Sequence, residues 1–176
     1  MKTMKAMKTL FTIFVLCLAT QAYAQEVRGK LTINNASEAY LKIGDIAGES
    51  QGQVVELFKQ FKQDDHSIKF SFEGKYPTEE NKPEFSFFTF RTTVKHNGKM
   101  VKSMEREPMP YIPGDMLLPA EAFDFIGILA MHGQKGMGYG ENTGAMPKGE
   151  YEIILEAIPM KTQGTITKGL IMFNVK

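Results

Sequence analysis

The sequence holds one cysteine, Cys17, no tryptophan, no excess of either charge and no apolar run long enough to span a bilayer. Each lack removes a class of protein. A membrane helix needs about 20 apolar residues, and the longest candidate, Leu10 to Ala19, has half that. Basic side chains number 21 against 20 acidic ones, so the electrostatic footprint of a nucleic-acid binder is missing. With 43% hydrophobic and 11% aromatic residues, the chain is too apolar for a disordered, collagen-like or coiled-coil protein.

What is present begins with an export-like leader. Lys2, Lys5 and Lys8 make a basic start, Leu10 to Ala19 an apolar stretch, and Ala22-Tyr23-Ala24 a small-x-small cleavage site. We expect a signal peptide over 1–24, cleaved after Ala24, and a single domain over 25–176 in the periplasm or outside the cell. Cys17 would leave with the leader. It follows Leu16 rather than a small residue, unlike the lipid-attached cysteine of a lipoprotein. The exported chain would enter an oxidising compartment without a thiol, which removes disulfides, cysteine nucleophiles and zinc–thiolate sites together.

Patterning is mainly period-two. Val27, Leu31 and Ile33 mark a first strand, Tyr40 to Ile43 a short second, and Ile68, Phe70 and Phe72 alternate with Lys69, Ser71 and Glu73. Val54, Leu57, Phe58 and Phe61 instead fall at i, i+3, i+4 and i+7, predicting one short amphipathic helix near 51–63. Asn97-Gly98 between two strand-like runs predicts a hairpin with a type I′ turn, whose two central residues both need positive φ. A two-residue register places His96 opposite Lys99, Val94 opposite Val101 and Thr92 opposite Ser103. The adjacent Phe87 and Phe88 suggest a bulge there or cover on both faces. Pro108, Pro110, Pro113 and Pro119 exclude helix and central strand from 107–120, leaving a crossover between sheets. Phe123 to Met131 has the apolarity of a buried strand, a glycine-rich loop follows, and strands near Tyr151 to Ala157 and Leu170 to Val175 close the chain.

Met146-Pro147-Lys148-Gly149-Glu150-Tyr151-Glu152-Ile153, followed by a terminal strand, resembles the end of bacterial immunoglobulin-like and fibronectin-like β-sandwiches. In those folds a Pro-x-Gly-x-Tyr turn precedes the penultimate strand and the tyrosine bonds back to nearby backbone. The resemblance covers about the last thirty residues and implies architecture, with Tyr151 as a tyrosine corner. It lacks the cysteine pair and tryptophan of antibody domains. Tyr40 to Ser50 also resembles the opening strand and Gly-Glu-Ser turn of the tube-forming haemolysin-coregulated proteins of type VI secretion. The fold expected is therefore mostly β: an antiparallel immunoglobulin-like β-sandwich with one short helix.

Reactive constellations are sparse. No Gly-x-Ser-x-Gly elbow, His-x-His, His-Glu-x-x-His or acidic calcium loop occurs. Asp64-Asp65-His66 is an ordinary polar stop after a helix as much as a ligand set. Gly136-x-Gly138-x-Gly140 leads through Pro147 to a strand, whereas phosphate loops lead into a helix whose amides face the anion. Methionine stands out: Met131, Met137 and Met146 share one segment with His132, and thioether and imidazole suit copper(I). Methionine equally fills irregular cores. Arg106, Met109, Tyr111 and Met116 in the crossover are residue types enriched in contact surfaces.

We accordingly expect no catalytic residues and no resident cofactor. The function expected is an exported, non-catalytic binding or accessory module, presenting loops 107–119 and 133–147 to a protein or glycan partner of the cell envelope. The alternatives are a copper(I)-binding protein using Met131, His132, Met137 and Met146, and a secreted enzyme of unrecognised kind or a type VI tube-like protein.

Overall fold

Alternation of apolar and polar side chains, set by the two-residue period of an extended chain, organises the architecture. The computed structural model describes residues 26–34, 40–42, 46, 57, 66–75, 80, 84–133 and 146–176. The leader, nearly all of the helix expected at 51–63, Asp64, Asp65 and the glycine loop with Met137 lie outside these. Leu57 alone of that helical stretch is described, and it is helical and buried.

Among the described residues, ten strands form two sheets: β1 (Glu26–Ile33), β2 (Tyr40–Lys42), β3 (Ile68–Lys75), β4 (Ser86–His96), β5 (Lys99–Glu105), β6 (Met109–Tyr111), β7 (Gly114–Leu118), β8 (Gly149–Met160), β9 (Gln163–Thr167) and β10 (Gly169–Val175). One sheet runs β7-β3-β1-β9, the other β2-β10-β8-β4-β5, with β6 also on β4. The protein is a mostly-β, sandwich-like fold. Its pairings are antiparallel except β1 with β9 and β10 with β2, which are parallel.

The two inner faces meet in one core. Leu31, Ile68, Phe70 and Phe72 come from the first sheet, and Phe88, Phe90, Val94, Ile153 and Leu155 from the second. Phe70 is its hub, with Phe88 at 4.9 Å, Phe90 at 5.6 Å and Tyr111 at 5.8 Å, all edge-on. Burying a ring of this size contributes about 1.5–3 kcal/mol. The outer face of the second sheet is held by charge instead, with Arg91 between Glu105 and Glu156 and Lys95 on Glu152 at 2.6 Å.

The Asn-Gly hairpin forms as expected: Asn97 has φ 48°, Gly98 φ 74°, and His96 faces Lys99. The register beyond is corrected. A bulge between Val94 and Lys95 sets Lys95 opposite Met100, Val94 opposite Lys102 and Thr92 opposite Met104. The extra residue is Val101, which packs on the core while Met100 is exposed. No bulge is needed at Phe87 and Phe88, which alternate normally, Phe87 outward and Phe88 inward.

The proline-rich crossover does pass between sheets, as β6 on one and β7 on the other. The strand expected at 123–131 is instead an α-helix, α1 (Phe125–Gly133), entered through a 3-10 turn at Ala120–Ala122. Nine uncharged residues satisfy either period, and the buried set Phe125, Ile128 and Leu129 has helical spacing. Thr92 donates a buried hydrogen bond to the Phe123 carbonyl at 2.5 Å, tying the entry of α1 to β4.

Candidate functional site

Two surfaces concentrate side chains capable of recognition. The first is the crossover. Of the four contact residues expected there, Arg106 and Met109 are exposed. Tyr111 turns inward against Phe70, Phe88 and Phe90, and burial raises its phenol above the ordinary value. Met116 packs on the core from β7. Arg106 serves the fold: its amide bonds to the Phe90 carbonyl at 2.9 Å and its guanidinium donates to the Glu121 carbonyl at 3.1 Å.

Phe85, Phe87 and Ile112, which the sequence does not mark as contact residues, are all three exposed. The rings of Phe85 and Phe87 meet edge-on at 5.4 Å, and Phe87 lies opposite Pro110 across β4 and β6. Alternation explains them. Phe85 and Phe87 are odd-numbered neighbours of the inward Phe88 and Phe90, so the phase of the strand turns them to solvent.

The second surface is the hairpin end of the larger sheet. Tyr151, the first inward residue of β8, is buried and donates its hydroxyl to the Pro147 carbonyl at 2.9 Å. That is the local bond expected of it. Burial pushes its phenol up to about 12. Its ring stacks on Phe173 at 5.0 Å with a 3° interplanar angle, and on His96 at 4.6 Å with 23°.

His96 is fixed further by Nε2, which lies 3.0 Å from the Lys148 carbonyl. A carbonyl only accepts, so Nε2 donates to it, and in a neutral imidazole that leaves the lone pair on Nδ1; Asn97 Nδ2 lies farther from Nε2, at 3.3 Å. Nδ1 faces His132 Nε2 at 3.4 Å. Asn97, held in the turn, accepts the Glu150 amide through Oδ1 at 2.9 Å and so binds the hairpin tip to the start of β8. Gly149 is required beside them: it has φ 136°, and a Cβ there would sit 2.4 Å from Asn97 Oδ1 and 2.7 Å from His96 Nε2.

His132 occupies the last turn of α1, not a loop. It is seven residues after Phe125, on the stripe of Phe125, Ile128 and Leu129, and that phase turns it toward β4. Its neighbour Met131 is exposed, while Met146 is buried in the core. The signal for the His96–His132 pair is therefore the i, i+3, i+4, i+7 spacing of 125–132, which an apolar run of this length masks by fitting a strand as well. Among the described residues, no three His, Cys, Asp or Glu side chains gather as a metal cluster.

No described helix is long and apolar enough to cross a membrane. Comparison with protein-family models and with curated proteins returns no match. The functional reading therefore rests on this geometry.

Proposed function

We propose that the protein is an exported, non-catalytic accessory module that docks a protein partner of the cell envelope through its crossover and the adjoining start of β4. The observation carrying this is the exposed edge-on pair of Phe85 and Phe87 at the start of β4, with Phe87 opposite Pro110 of β6 and Ile112 exposed just beyond β6. Exposed apolar side chains that adjoin one another mark contact sites, whereas singly scattered ones are ordinary. Aromatic and methionine side chains are also the types enriched in interface cores. Export is supported by the leader-like composition of 1–24, and an immunoglobulin-like lineage by the Pro147 to Tyr151 turn.

In-cell photo-crosslinking tests the reading. A photoreactive residue at Phe87 or Ile112 is expected to trap the same envelope protein, and Phe85→Asp in the same chain to abolish the adduct. A probe at Thr165, exposed on β9 of the other sheet, is expected to trap nothing. Equal trapping from all three positions, or a glycan in place of a protein at the crossover, refutes it.

A further inference from the structure

The geometry points to a metal-binding site at the hairpin end of the larger sheet, in which His96 Nδ1 and His132 Nε2 together hold one late first-row divalent ion of tetrahedral preference, with Zn²⁺ as the reference case. Two independent distances agree with a shared ion. Imidazole nitrogens bound at 2.0–2.1 Å with a tetrahedral angle between them stand about 3.3–3.4 Å apart, and their ring centroids about 5.2 Å apart. The nitrogens here are 3.4 Å apart and the centroids 5.2 Å. A hydrogen bond running along both ring axes at that separation would set the centroids about 5.7 Å apart, and would itself be longer than the usual 2.7–3.2 Å. The observed separation is shorter than that collinear arrangement and equals the one expected for two rings sharing an ion.

The surroundings have the character of a second shell. Ligating histidines donate their other ring N–H to a carbonyl or carboxylate, which fixes the tautomer. His96 does so toward the Lys148 carbonyl. Its ring is braced by the Tyr151 and Phe173 stack, and Gly149 leaves the space it needs. The nearest cation on the same strand, Lys95, is neutralised by Glu152 at 2.6 Å. Imidazole nitrogen suits zinc, copper and nickel, and no cysteine lies among the described residues to compete with it. Two protein nitrogens leave the remaining positions to water, which makes the site open and its affinity modest.

The test is titration of the untagged protein with Zn²⁺ against a chromophoric chelator, with Co²⁺ as the spectroscopic substitute. We expect one ion per chain with Kd below about 0.1 mM, and a Co²⁺ spectrum of tetrahedral intensity. His96→Gln and His132→Gln should each weaken binding by about tenfold or more, while His66→Gln leaves it unchanged. Two-bond ¹H–¹⁵N correlations of the parent protein should move at His96 Nδ1 and His132 Nε2 on adding Zn²⁺. That measurement decides the matter even if a variant fails to fold. Absence of saturable binding, binding that survives both substitutions, or copper(I) binding that depends on Met131 but not on His96 overturns the proposal.

Discussion

Replacing Tyr151 with Phe should change the sign of its effect on stability between neutral and strongly alkaline pH. The variant keeps the stack on Phe173 and His96 but loses the hydroxyl bond to the Pro147 carbonyl. A neutral hydrogen bond of this kind contributes about 1 kcal/mol net, so at pH 7 the variant should be less stable by that amount. The buried phenol is pushed up to about 12 from an ordinary value of 10.0. A raised value means that the folded state retains a proton the unfolded chain releases. The resulting stability is therefore complete below pH 10 and is lost as pH rises through the folded value. Linkage makes the loss about 1 kcal/mol by pH 11 and about 2 kcal/mol by pH 12. Phenylalanine has nothing to lose, so the two proteins should be equally stable near about pH 11, and the variant ahead by about 1 kcal/mol at pH 12. Urea unfolding followed by far-ultraviolet circular dichroism at intervals from pH 8 to 12 measures the difference. Tyr111 and the lysines are common to both proteins and cancel. A stability gap that stays constant across that range refutes the assignment of a buried, un-ionised phenol to Tyr151.

Three further substitutions probe the same framework. Gly149→Ala should cost about 1–3 kcal/mol from its left-handed backbone alone, and it should also displace His96, visible as a shift of the His96 imidazole resonances. Thr92→Val keeps the shape but orphans the buried Phe123 carbonyl, so chemical denaturation should show a loss of about 1–3 kcal/mol. Phe70→Ala opens a cavity at the hub of the core, with an expected cost of about 3–5 kcal/mol in the same assay. A loss under about 1 kcal/mol there would mean that the aromatic cluster collapses around the gap.

The strands with a clean period were legible because one face of each meets the core. Tyr151, Ile153, Leu155 and Ala157 are all buried, as are Ile68, Phe70 and Phe72. The Asn97-Gly98 turn was legible for a local reason, since both residues tolerate positive φ. Three features depended on tertiary context. Beyond Asp124 the run to Met131 contains no charge to break the tie between periods, and only the packing of Phe125, Ile128 and Leu129 selects the helix. Strand β9 buries Ile166 alone, so it carries almost no periodic signal and is defined by its partner, β1. The bulge at Val101 depends on how β5 fits the core, which no turn residue announces. The histidine pair was hidden by the same tie, because the sequence distance between His96 and His132 closes only when α1 folds back on β4.

The placement of β9 has a consequence for how the chain reaches its final shape. It leaves one sheet after β8, pairs with β1 in the other, and returns as β10 to the first, so Glu26 finds Gln163 as its neighbour. Pairings that span so much of the polypeptide must overcome a large loop-closure entropy before they are rewarded, and such topologies fold slowly. The first strand thus acquires its second neighbour only after the closing residues are in place, which makes acquisition of structure contingent on completion. Until then the edge of β1 away from β3 carries unpaired amides and carbonyls, a template open to strands of a neighbouring chain.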